Sequence, residues 1–492
     1  MKARYTARLL STFCIAAIGA TSLVAEAGRV SPQSAVGPRA ATASMAAPNY
    51  SLFTCQVVNL SPGATCYDPY QMRRAYGTDK LLAAGYAGAG RTIVIVDAFQ
   101  APYLDFDVGT FSAFYGLPAA NVQQIAPDGM VAWDPNDANM VGWSSEITLD
   151  VTWAHAIAPA AKIVLVLAKT NDDADILSAV RYAVDHDLGD VISMSFGENE
   201  SCTDPDLLAG YHEVFANATR KNITLFASSG DQGAAQQTCD GKSWTRAVSS
   251  PASDPLVSGV GGTELHAARY CLAAVGCNPA ANPAFGTYQS EIVWNEFLSE
   301  STGGGVSVLF DAPPYQKSAV NASGRAVPDV AYNAAILHGV LVFWSGNDPL
   351  NPDPNLNTRG FYLFGGTSAG APQWSAILAI ANQVAGHRLG YLNSAFYQIR
   401  QTPPNYGASF HDITSGNNSV IEEDSTNQDV VVAGFVAGSA WDATTGIGSP
   451  KVDGIVGRLI SLVSPGDAVA AIATSKPHDH AKPPKHGTMA PH

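Results

Sequence analysis

The chain has 492 residues, of which 46% are hydrophobic and 14% are charged, and its formal net charge at pH 7 is -15. So acidic a chain would be repelled by the phosphates of nucleic acid, which excludes a nucleic-acid-binding protein. The acidic excess either keeps the protein soluble or adapts it to acid, where many carboxylates become neutral. Composition alone leaves both interpretations open.

Residues 1–27 have the three parts of a secretory signal peptide. Lys2 and Arg4 give a charged start, residues 9–24 are apolar, and Ala-Glu-Ala at 25–27 supplies a cleavage site. No later stretch approaches the roughly 20 apolar residues that a membrane span needs. We therefore expect a secreted protein, extracellular or periplasmic, with no membrane contact and with a flexible leader over residues 28–50.

The cysteine pattern favours disulfides. Of seven cysteines, Cys14 falls in the predicted signal peptide, which leaves an even number in an exported chain. Proximity along the chain suggests three pairs, although other connectivities stay open: Cys55 with Cys66, Cys202 with Cys239, and Cys271 with Cys277.

Short apolar runs alternate with helical patterns through the core, and a disordered tail rich in Pro, His and Lys is predicted at 466–492. Strands are predicted at 91–96, 162–167, 191–194 and 223–226, and helices at 173–187 and 207–221. Fully apolar strands separated by helices indicate a parallel sheet covered on both faces. The fold class is therefore α/β, a doubly wound, mostly parallel sheet. Functional residues in such sheets gather at the carboxyl ends of the strands.

Residues 143–155 are predicted to form a helix that a serine caps and Pro159 ends. Glu146 and Asp150 stand four residues apart, so they share a face and can share a proton or a hydrogen bond. Like charges at this spacing destabilise an exposed helix. The pair is either a solvated acidic face or part of a functional site.

A second acidic candidate follows the strand at 223–226. Asp231 stands between Gly230 and Gly233, just past the carboxyl end of a buried strand, where a side chain can point into a crevice. The alternative is an ordinary turn aspartate.

The segment Gly-Gly-Thr-Ser-Ala-Gly at 365–370 surrounds Ser368 with small residues and runs into a predicted helix at 373–384. Small neighbours let the hydroxyl stand clear of the backbone, and a helix that begins here directs its positive end towards a developing oxyanion. Ser368 is therefore a candidate nucleophile. It lacks a histidine in the sequence setting that a subtilisin-type base uses.

In this order, Glu146 with Asp150, Ser-Gly-Asp at Asp231 and Gly-Thr-Ser at Ser368 resemble the sedolisin family of serine-carboxyl peptidases, which share the subtilisin fold. Other similar stretches are 67–72, 75–77, 260–263, 303–305 with Ser307, and 325–329. The resemblance spans about residues 67–450. It implies a single subtilisin-like catalytic domain at 51–465, with its core at about 67–462.

The resemblance implies that Ser368 attacks the scissile carbonyl of a protein or peptide, with Glu146 as general base and Asp150 holding that base. Asp231 would donate a hydrogen bond to the oxyanion together with the Ser368 N–H, and a carboxyl donates only when protonated. The expected function is a secreted, acid-acting serine peptidase, an endopeptidase and a monomer. Asp97 either extends the hydrogen-bond chain behind the base or is a strand-end turn residue.

The resemblance also implies one structural Ca²⁺, held by the side chains of Asp412 and Asp442 and the carbonyls of Ile413, Gly438 and Ala440. Ala440 stands where glycine is usual, which a backbone ligand tolerates if its φ is negative. Family members are commonly made with a folded propeptide. The residues between the predicted cleavage site and residue 67 are too few for one, so we expect its absence.

Three alternatives remain. Residues 366–370 also fit the nucleophile turn of an α/β-hydrolase esterase. Asp97 and Ser368 fit a subtilisin-like Asp-His-Ser protease, although the histidines between them, including His155, lack the usual His-Gly-Thr-His setting. The third alternative is a catalytically silent binding protein, against which the intact set of acids and serine argues.

Overall fold

A computed structural model of the chain describes residues 32–33, 52–60, 63–276, 285–317, 319–346, 359–478 and 489–491. Its α-helices are Pro69–Tyr76, Thr78–Ala83, Leu104–Tyr115, Ala138–Ile157, Asp173–Asp185, Pro205–Arg220, Pro314–Lys317, Gly370–Ala385, Asn393–Gln401, Pro403–Ser409, Val452–Leu462 and Pro465–Thr474. Short 3-10 helices lie at Thr54–Gln56, Ala273–Val275 and Thr367–Ala369.

The main sheet confirms the predicted fold class. Its strands run, from one edge to the other, Tyr288–Val293, Ser258–Ala267, Thr224–Ser228, Val191–Met194, Thr92–Ala98, Lys162–Ala168 and Asn121–Ile125, with Val330–Asn333 paired beside Ser258–Ala267. All neighbours are parallel except Tyr288–Val293, which is antiparallel. The four strands expected from apolar runs lie within two residues of their predicted ends.

Smaller sheets and hairpins surround this main sheet. Their strands are Pro32–Gln33, Leu52–Phe53, Thr65–Tyr67, Phe196–Asn199, Ala235–Gln237, Trp244–Arg246, Ser249–Ser250, Asn295–Glu296, Glu300–Ser301, Gly305–Asp311, Gly324–Val327, His338–Trp344, Gly360–Phe364, Phe410–His411, Val420–Glu423, Asp429–Val432, Ser449–Pro450 and Ala490–Pro491.

Both faces of the main sheet are buried, because successive side chains of a strand point to opposite faces. Ile93 and Ile95 belong to the core on one face, whereas Val94 and Val96 belong to the core on the other. The helices Ala138–Ile157 and Gly370–Ala385 pack on the first face, and Asp173–Asp185 and Pro205–Arg220 pack on the second. The first of these helices carries Glu146 and Asp150, and Ser368 lies just before the second.

The acid-bearing helix is longer than predicted and begins differently. It spans Ala138–Ile157, and the carboxylate of Asp137, not a serine, accepts hydrogen bonds from the first backbone N–H groups. The hydroxyls of Ser144 and Ser145 instead bond carbonyls one turn back inside the helix. The helix starts earlier because the Asp137 cap satisfies its first free donors.

The prediction of a disordered tail from residue 466 is wrong for its first part. Residues Pro465–Thr474 form a helix that Ser464 caps through the Gly466 N–H. Ala471 on this helix is buried against the second core, and that burial offsets the cost of ordering the segment. Further on, Ala490–Pro491 pairs with the strand Phe196–Asn199.

Two of the predicted disulfides are confirmed, Cys55–Cys66 and Cys202–Cys239. Cys271 is also disulfide-bonded, but Cys277 lies outside the described residues. The predicted signal peptide, most of the predicted leader and residues 479–488 and 492 of the tail lie outside them as well. Within the described part, no single helix is long and apolar enough to cross a membrane, and the one helix pair that qualifies together, Val452–Leu462 with Gly466–Thr474, is bent by 85°.

Candidate active site

The Ser368 turn follows the strand Gly360–Phe364 and is shaped by two glycines. Gly366 has a φ of +88°, which an L side chain rarely adopts, and its N–H donates to the carbonyl of Ala334 at 2.7 Å. A Cβ at Gly365 would lie 2.5 Å from that same carbonyl. The turn then continues through Thr367–Ala369 into the helix Gly370–Ala385, so Ser368 sits just before the amino end of a long helix.

The helix Ala138–Ile157 brings Glu146 to this turn. It packs against both the helix Gly370–Ala385 and the turn Thr367–Ala369. Glu146 is 3% exposed and Ser368 is fully buried, and the hydroxyl lies close enough to lower the pKa of the carboxyl. Among the described residues neither Ser368 Oγ nor Glu146 Oε1 has a conventional hydrogen-bond partner. Buried polar atoms left in this state require an explanation, and a bound substrate is one.

Asp150 lies one helical turn beyond Glu146 and is held from the other side. Ser195, just past the strand Val191–Met194, donates to Asp150 Oδ1 at 3.0 Å. Burial raises the pKa of Asp150 to about 8, although the hydrogen bonds with Ser195 and Glu146 lower it. Asp150 therefore holds a proton at mildly acidic pH and can donate a hydrogen bond to Glu146.

Burial and neighbouring acids raise the pKa values of both Glu146 and Asp97. Burial raises the pKa of Glu146 well above its usual range, and the charges of Asp150 and Asp97 raise it further. Burial, followed by the charge of Asp150, does the same for Asp97, whose oxygens have no hydrogen-bond partner within the described chain. Buried acids whose charges act on one another do not all ionise together, so these three titrate as a coupled group.

Asp231 approaches Ser368 from a third direction. It follows the strand Thr224–Ser228 after Gly230, whose φ is +112°. Asp231 Oδ1 accepts hydrogen bonds from the Thr367 N–H at 2.8 Å and from the Thr367 hydroxyl at 2.9 Å. The carboxyl is therefore fixed to the residue that precedes Ser368.

A run of three glycines lets the Asp231 loop pack closely. The Gly303 N–H donates to the Gly230 carbonyl at 2.6 Å, and a Cβ at Gly303 would lie 2.0 Å from the Ser229 carbonyl. A Cβ at Gly304 would lie 2.1 Å from the carbonyl of Ala443, on a separate loop. Two loops thus rest directly on the same backbone segment, which only glycine permits.

The histidines make other contacts. Nε2 of His155 lies 2.9 Å from the carbonyl of Pro118, and burial lowers the pKa of His155 to about 4. Because Ser368 Oγ has no hydrogen-bond partner in the described part of the chain, no described histidine is bonded to it. The group placed beside the serine is a carboxyl.

The chain matches a known protein family. The model of the subtilase family matches residues 129–402, which is more than half of the chain. The chain belongs to the subtilase family. The matched region of this subtilase contains Glu146, Asp150, Asp231 and Ser368, whereas Asp97 precedes it.

The relatives of this subtilase are of the sedolisin type. It is 33% identical over 402 residues to Kumamolisin of Bacillus sp. (strain MN-32), and 30% identical over 294 residues to Tripeptidyl-peptidase 1 of Rattus norvegicus. The two alignments cover 79% and 55% of the chain. The chain spans 63% of the length of the first relative and 43% of the second.

A solved structure agrees. Pseudomonas sedolisin, a serine-carboxyl proteinase complexed with two molecules of pseudo-iodotyrostatin, is similar with a TM-score of 0.64 and 26% identity. The similarity covers 82% of the subtilase described here and 100% of that chain. Both the resemblance to sedolisins and the subtilisin-like fold are thereby confirmed.

The subtilase fold excludes the esterase alternative. The strand before Ser368, Gly360–Phe364, pairs antiparallel with His338–Trp344 in a sheet separate from the main one. An α/β-hydrolase carries its serine on a turn at the top of the main parallel sheet. Here the strand ends of the main sheet carry Asp97, Ser195 and Asp231 instead.

Sequence reasoning missed two residues of this site, Ser195 and Thr367. Ser195 had one signal, its position directly after an apolar strand of a parallel sheet. Thr367 had none, because a threonine beside a serine gives no indication that it bonds an aspartate 136 residues away.

The predicted calcium ligands are brought together in part. The Ala440 N–H donates to the carboxylate of Asp412 at 3.0 Å, and the Gly438 N–H donates to Asp442 Oδ2 at 3.1 Å. Both carboxylates thus border one loop, and Ile413 follows directly after Asp412. Carboxylate and carbonyl oxygens are the ligands that Ca²⁺ prefers, so these residues fit the ion.

The backbone conformation expected for Ala440 in this loop is wrong. Ala440 has a φ of +71°, not the negative φ that an alanine at this position was expected to adopt. An L side chain in this region costs roughly 1–2 kcal/mol, because its Cβ approaches the following carbonyl oxygen. Ala440 thus adopts a left-handed backbone conformation that glycine adopts without strain.

Proposed function

We propose that this chain is a sedolisin-type serine-carboxyl peptidase that hydrolyses peptide bonds of proteins or peptides. The observation that carries the proposal is the buried hydroxyl of Ser368 beside the carboxyl of Glu146, where an ordinary subtilisin-like enzyme has an imidazole. The similarity to Kumamolisin and to Pseudomonas sedolisin supports it.

In the proposed reaction Ser368 Oγ forms a bond to the scissile carbonyl carbon, and its proton moves to the carboxylate of Glu146. Collapse of the tetrahedral intermediate breaks the C–N bond, and Glu146 returns the proton to the leaving amine. A water molecule then attacks the acyl ester and gives its proton to Glu146, which passes it to Ser368 Oγ. The enzyme ends as it began.

The oxyanion is proposed to form on the side of Asp231. Both hydrogen bonds from Thr367 reach Oδ1 of Asp231, so the proton that Asp231 needs for donation would be on Oδ2. The Ser368 N–H, near the positive end of the helix Gly370–Ala385, would be the second donor. Thr367 acts through Asp231 as a positioning residue.

The protonation states that the proposed reaction needs predict activity at acidic pH. Asp231 must be protonated to donate, and Asp150 must be protonated to donate to Glu146. Burial raises the pKa of Asp150 to about 8 and that of Glu146 well above its usual range, so the acid chain retains protons across mild acid. Glu146 acts as base in the state in which it carries the negative charge of the chain. Activity should therefore fall as the pH rises. Asp97 would extend the chain of acids behind Asp150.

We further propose that Asp412 and Asp442, with the carbonyls of Ile413, Gly438 and Ala440, hold one Ca²⁺. The ion would neutralise two carboxylates and fix the loop that Ala440 strains. The Ala440 carbonyl also accepts a hydrogen bond from Tyr406 at 3.1 Å, and a carbonyl oxygen has a second lone pair for the ion.

Secretion is proposed from the amino-terminal pattern, and the two confirmed disulfides support it, because such bonds persist in oxidising compartments. A monomer without nucleic-acid or membrane partners remains the working assumption.

The proposal is tested with a denatured protein substrate across pH 3 to 7, comparing the wild type with Ser368→Ala, Glu146→Gln and His155→Ala. Cleavage in acid that is lost in the first two variants and retained in the third supports the carboxylate base. Loss in His155→Ala with retention in Glu146→Gln would support an Asp-His-Ser protease. Binding of the substrate without cleavage by the wild type would support a catalytically silent protein.

The mode of cleavage needs a separate experiment. Peptides with a free amino terminus are compared with the same peptides blocked at that terminus. An endopeptidase, the mode proposed here, cleaves both, whereas release of tripeptides from the free peptides alone would indicate the activity that the name of the rat relative carries.

A further inference from the structure

Three metal-ligating side chains meet between a strand of the main sheet and a strand of a smaller sheet, outside the candidate active site. Glu264 and His266 stand two apart on the strand Ser258–Ala267, so both point to the same face. His338 begins the strand His338–Trp344. One ligand atom from each residue can be chosen so that all three lie within 4.8 Å of one another.

The distances suit a small tetrahedral ion. Glu264 Oε1 lies 3.2 Å from His266 Nε2 and 3.6 Å from His338 Nε2. A tetrahedral ion with ligand bonds of about 2.0–2.1 Å separates its ligand atoms by roughly 3.3–3.4 Å. The carboxylate oxygen therefore lies close to the Zn²⁺ ligand spacing from each of the two imidazole nitrogens.

The side chain of Asn333 links the two strands at this position. Asn333, which is fully buried, accepts a hydrogen bond from the Leu265 N–H at 2.9 Å and donates to the His338 carbonyl at 2.9 Å. Leu265 lies between Glu264 and His266. One amide side chain thus fixes His338 relative to the other two ligands.

The cluster is also accessible. The side chains of Glu264, His266 and His338 are 17%, 37% and 23% exposed, so an ion can enter and a water molecule can complete its shell. Two other charged residues act on these groups: the carboxylates of Glu296 and Glu264 repel each other, and the positive charge of Arg269 acts on His338.

We propose that Glu264, His266 and His338 bind one divalent transition-metal ion of the Zn²⁺ type, with water as the fourth ligand. Two imidazoles and one carboxylate match the ligand preference of Zn²⁺, whereas Ca²⁺ prefers oxygen ligands alone. The site joins the strands Ser258–Ala267 and His338–Trp344. It is separate from the calcium ligands and does not depend on peptidase activity.

The main competitor for Zn²⁺ is the tail, which contains His478, His480, His486 and His492. The experiment therefore uses the full chain with these four histidines replaced by Ala, stripped with chelator and titrated with ZnCl2 at pH 7.5, where imidazole is neutral. Calorimetry should find one equivalent bound, and the melting temperature should rise with Zn²⁺.

In the same background, His266→Ala with His338→Ala should remove that equivalent, and Glu264→Gln should weaken it by about tenfold or more. His186→Ala with His387→Ala is the matched control, because both of these rings are exposed and lie elsewhere. Unchanged stoichiometry and affinity in the His266, His338 variant would overturn the proposal.

A variant that fails to fold is replaced by a measurement on the parent protein. X-ray absorption of the one-equivalent Zn²⁺ complex should give about two imidazole ligands and two oxygen ligands, the tetrahedral set expected here. A shell of oxygen ligands alone, or one with three or more imidazoles, would reject the site.

Discussion

Two sets of buried carboxyl groups in this protein differ in what surrounds them. Asp329 is fully buried, and Arg325 donates to both of its oxygens, at 2.8 and 2.5 Å, while Tyr397 and the Gly259 N–H add further bonds. Asp97, Asp150 and Glu146 are buried as well, and no arginine in the described part of the chain pairs with them: burial raises all three pKa values, and the charges of neighbouring acids raise those of Glu146 and Asp97 further.

The difference separates a structural role from a chemical one. A buried acid with a bidentate arginine and full hydrogen bonding holds segments together, and its charge is neutralised in place. A chain of buried acids with atoms left unbonded keeps mobile protons and raises the free energy of the folded state.

The largest effect is expected from Glu146→Gln. Loss of the proposed base should lower kcat by on the order of 10⁴ to 10⁶-fold. The free energy of unfolding should stay constant or increase, because a buried ionisable group becomes neutral. Steady-state kinetics and urea unfolding on the same preparation measure both quantities. A variant that loses activity because it unfolds would place Glu146 with the structural set.

Asp329→Ala should give the opposite result. Removing the carboxylate leaves the Arg325 guanidinium buried without its partner, which costs about 3–5 kcal/mol of unfolding free energy. Residual activity of the folded fraction should be close to that of the wild type. Replacing both residues by apolar ones, Arg325→Met with Asp329→Leu, is the control, since it removes the unpaired charge and should recover much of the stability. Full stability of Asp329→Ala alone would contradict the comparison.

Asp231→Ala should reduce kcat by about 10² to 10³-fold, which is the usual cost of one oxyanion donor. Asp231→Asn should recover part of the loss, since an amide can accept from Thr367 and still donate without an acidic proton. The recovered activity should extend to higher pH than that of the wild type. An asparagine variant as inactive as the alanine variant would mean that Asp231 does not act as a donor.

The acid chain should also leave a signature in stability against pH. The pKa of Asp150 is about 8 in the folded protein and about 3.9 when unfolded, so folding holds the proton more tightly. Its contribution to stability is complete below about pH 4 and is lost as the pH rises through about 8. The melting temperature of Asp150→Asn should therefore decline less over this interval than that of the wild type. Parallel declines would show that the chain does not hold extra protons.

The smallest effect is expected in the loop proposed to bind Ca²⁺. Ala440→Gly should raise the free energy of unfolding by roughly 1 kcal/mol, because glycine adopts the φ of +71° without strain. Ca²⁺ should raise the melting temperature of both proteins, and chelator should lower it. Asp412→Ala is the control that should abolish the response to Ca²⁺. Destabilisation by Ala440→Gly would mean that the alanine methyl group makes a contact worth more than the strain.

The sequence predicted the parts of this molecule that depend on local pattern. Apolar runs located the four parallel strands, and the spacing of Glu146 and Asp150 placed them on one face of a helix. Ser195 and Thr367 were not predicted, because their importance arises only when distant segments meet. The start of the acid-bearing helix was also missed, since Asp137 and the serines are equally good caps by residue type.

The conformation of Ala440 shows a different limit. The residue type alone favours a negative φ, but neighbouring contacts override that preference: Asp412 bonds the N–H and Tyr406 bonds the carbonyl. The helix Pro465–Thr474, in the segment predicted to be a disordered tail, also depends on tertiary contacts. Ala471 is buried in the second core, and the sequence alone does not reveal that burial.

The glycine run at 303–305 contacts two loops that have different proposed roles. Gly303 rests on Ser229, two residues before Asp231, and Gly304 rests on Ala443, next to Asp442. We therefore expect a shift of the proposed Ca²⁺ loop to reach Asp231 through these main-chain contacts, because no side chain lies between them. We expect Asp442→Asn to lower kcat at temperatures where the protein is still folded, and an unchanged kcat would show that the two loops move independently.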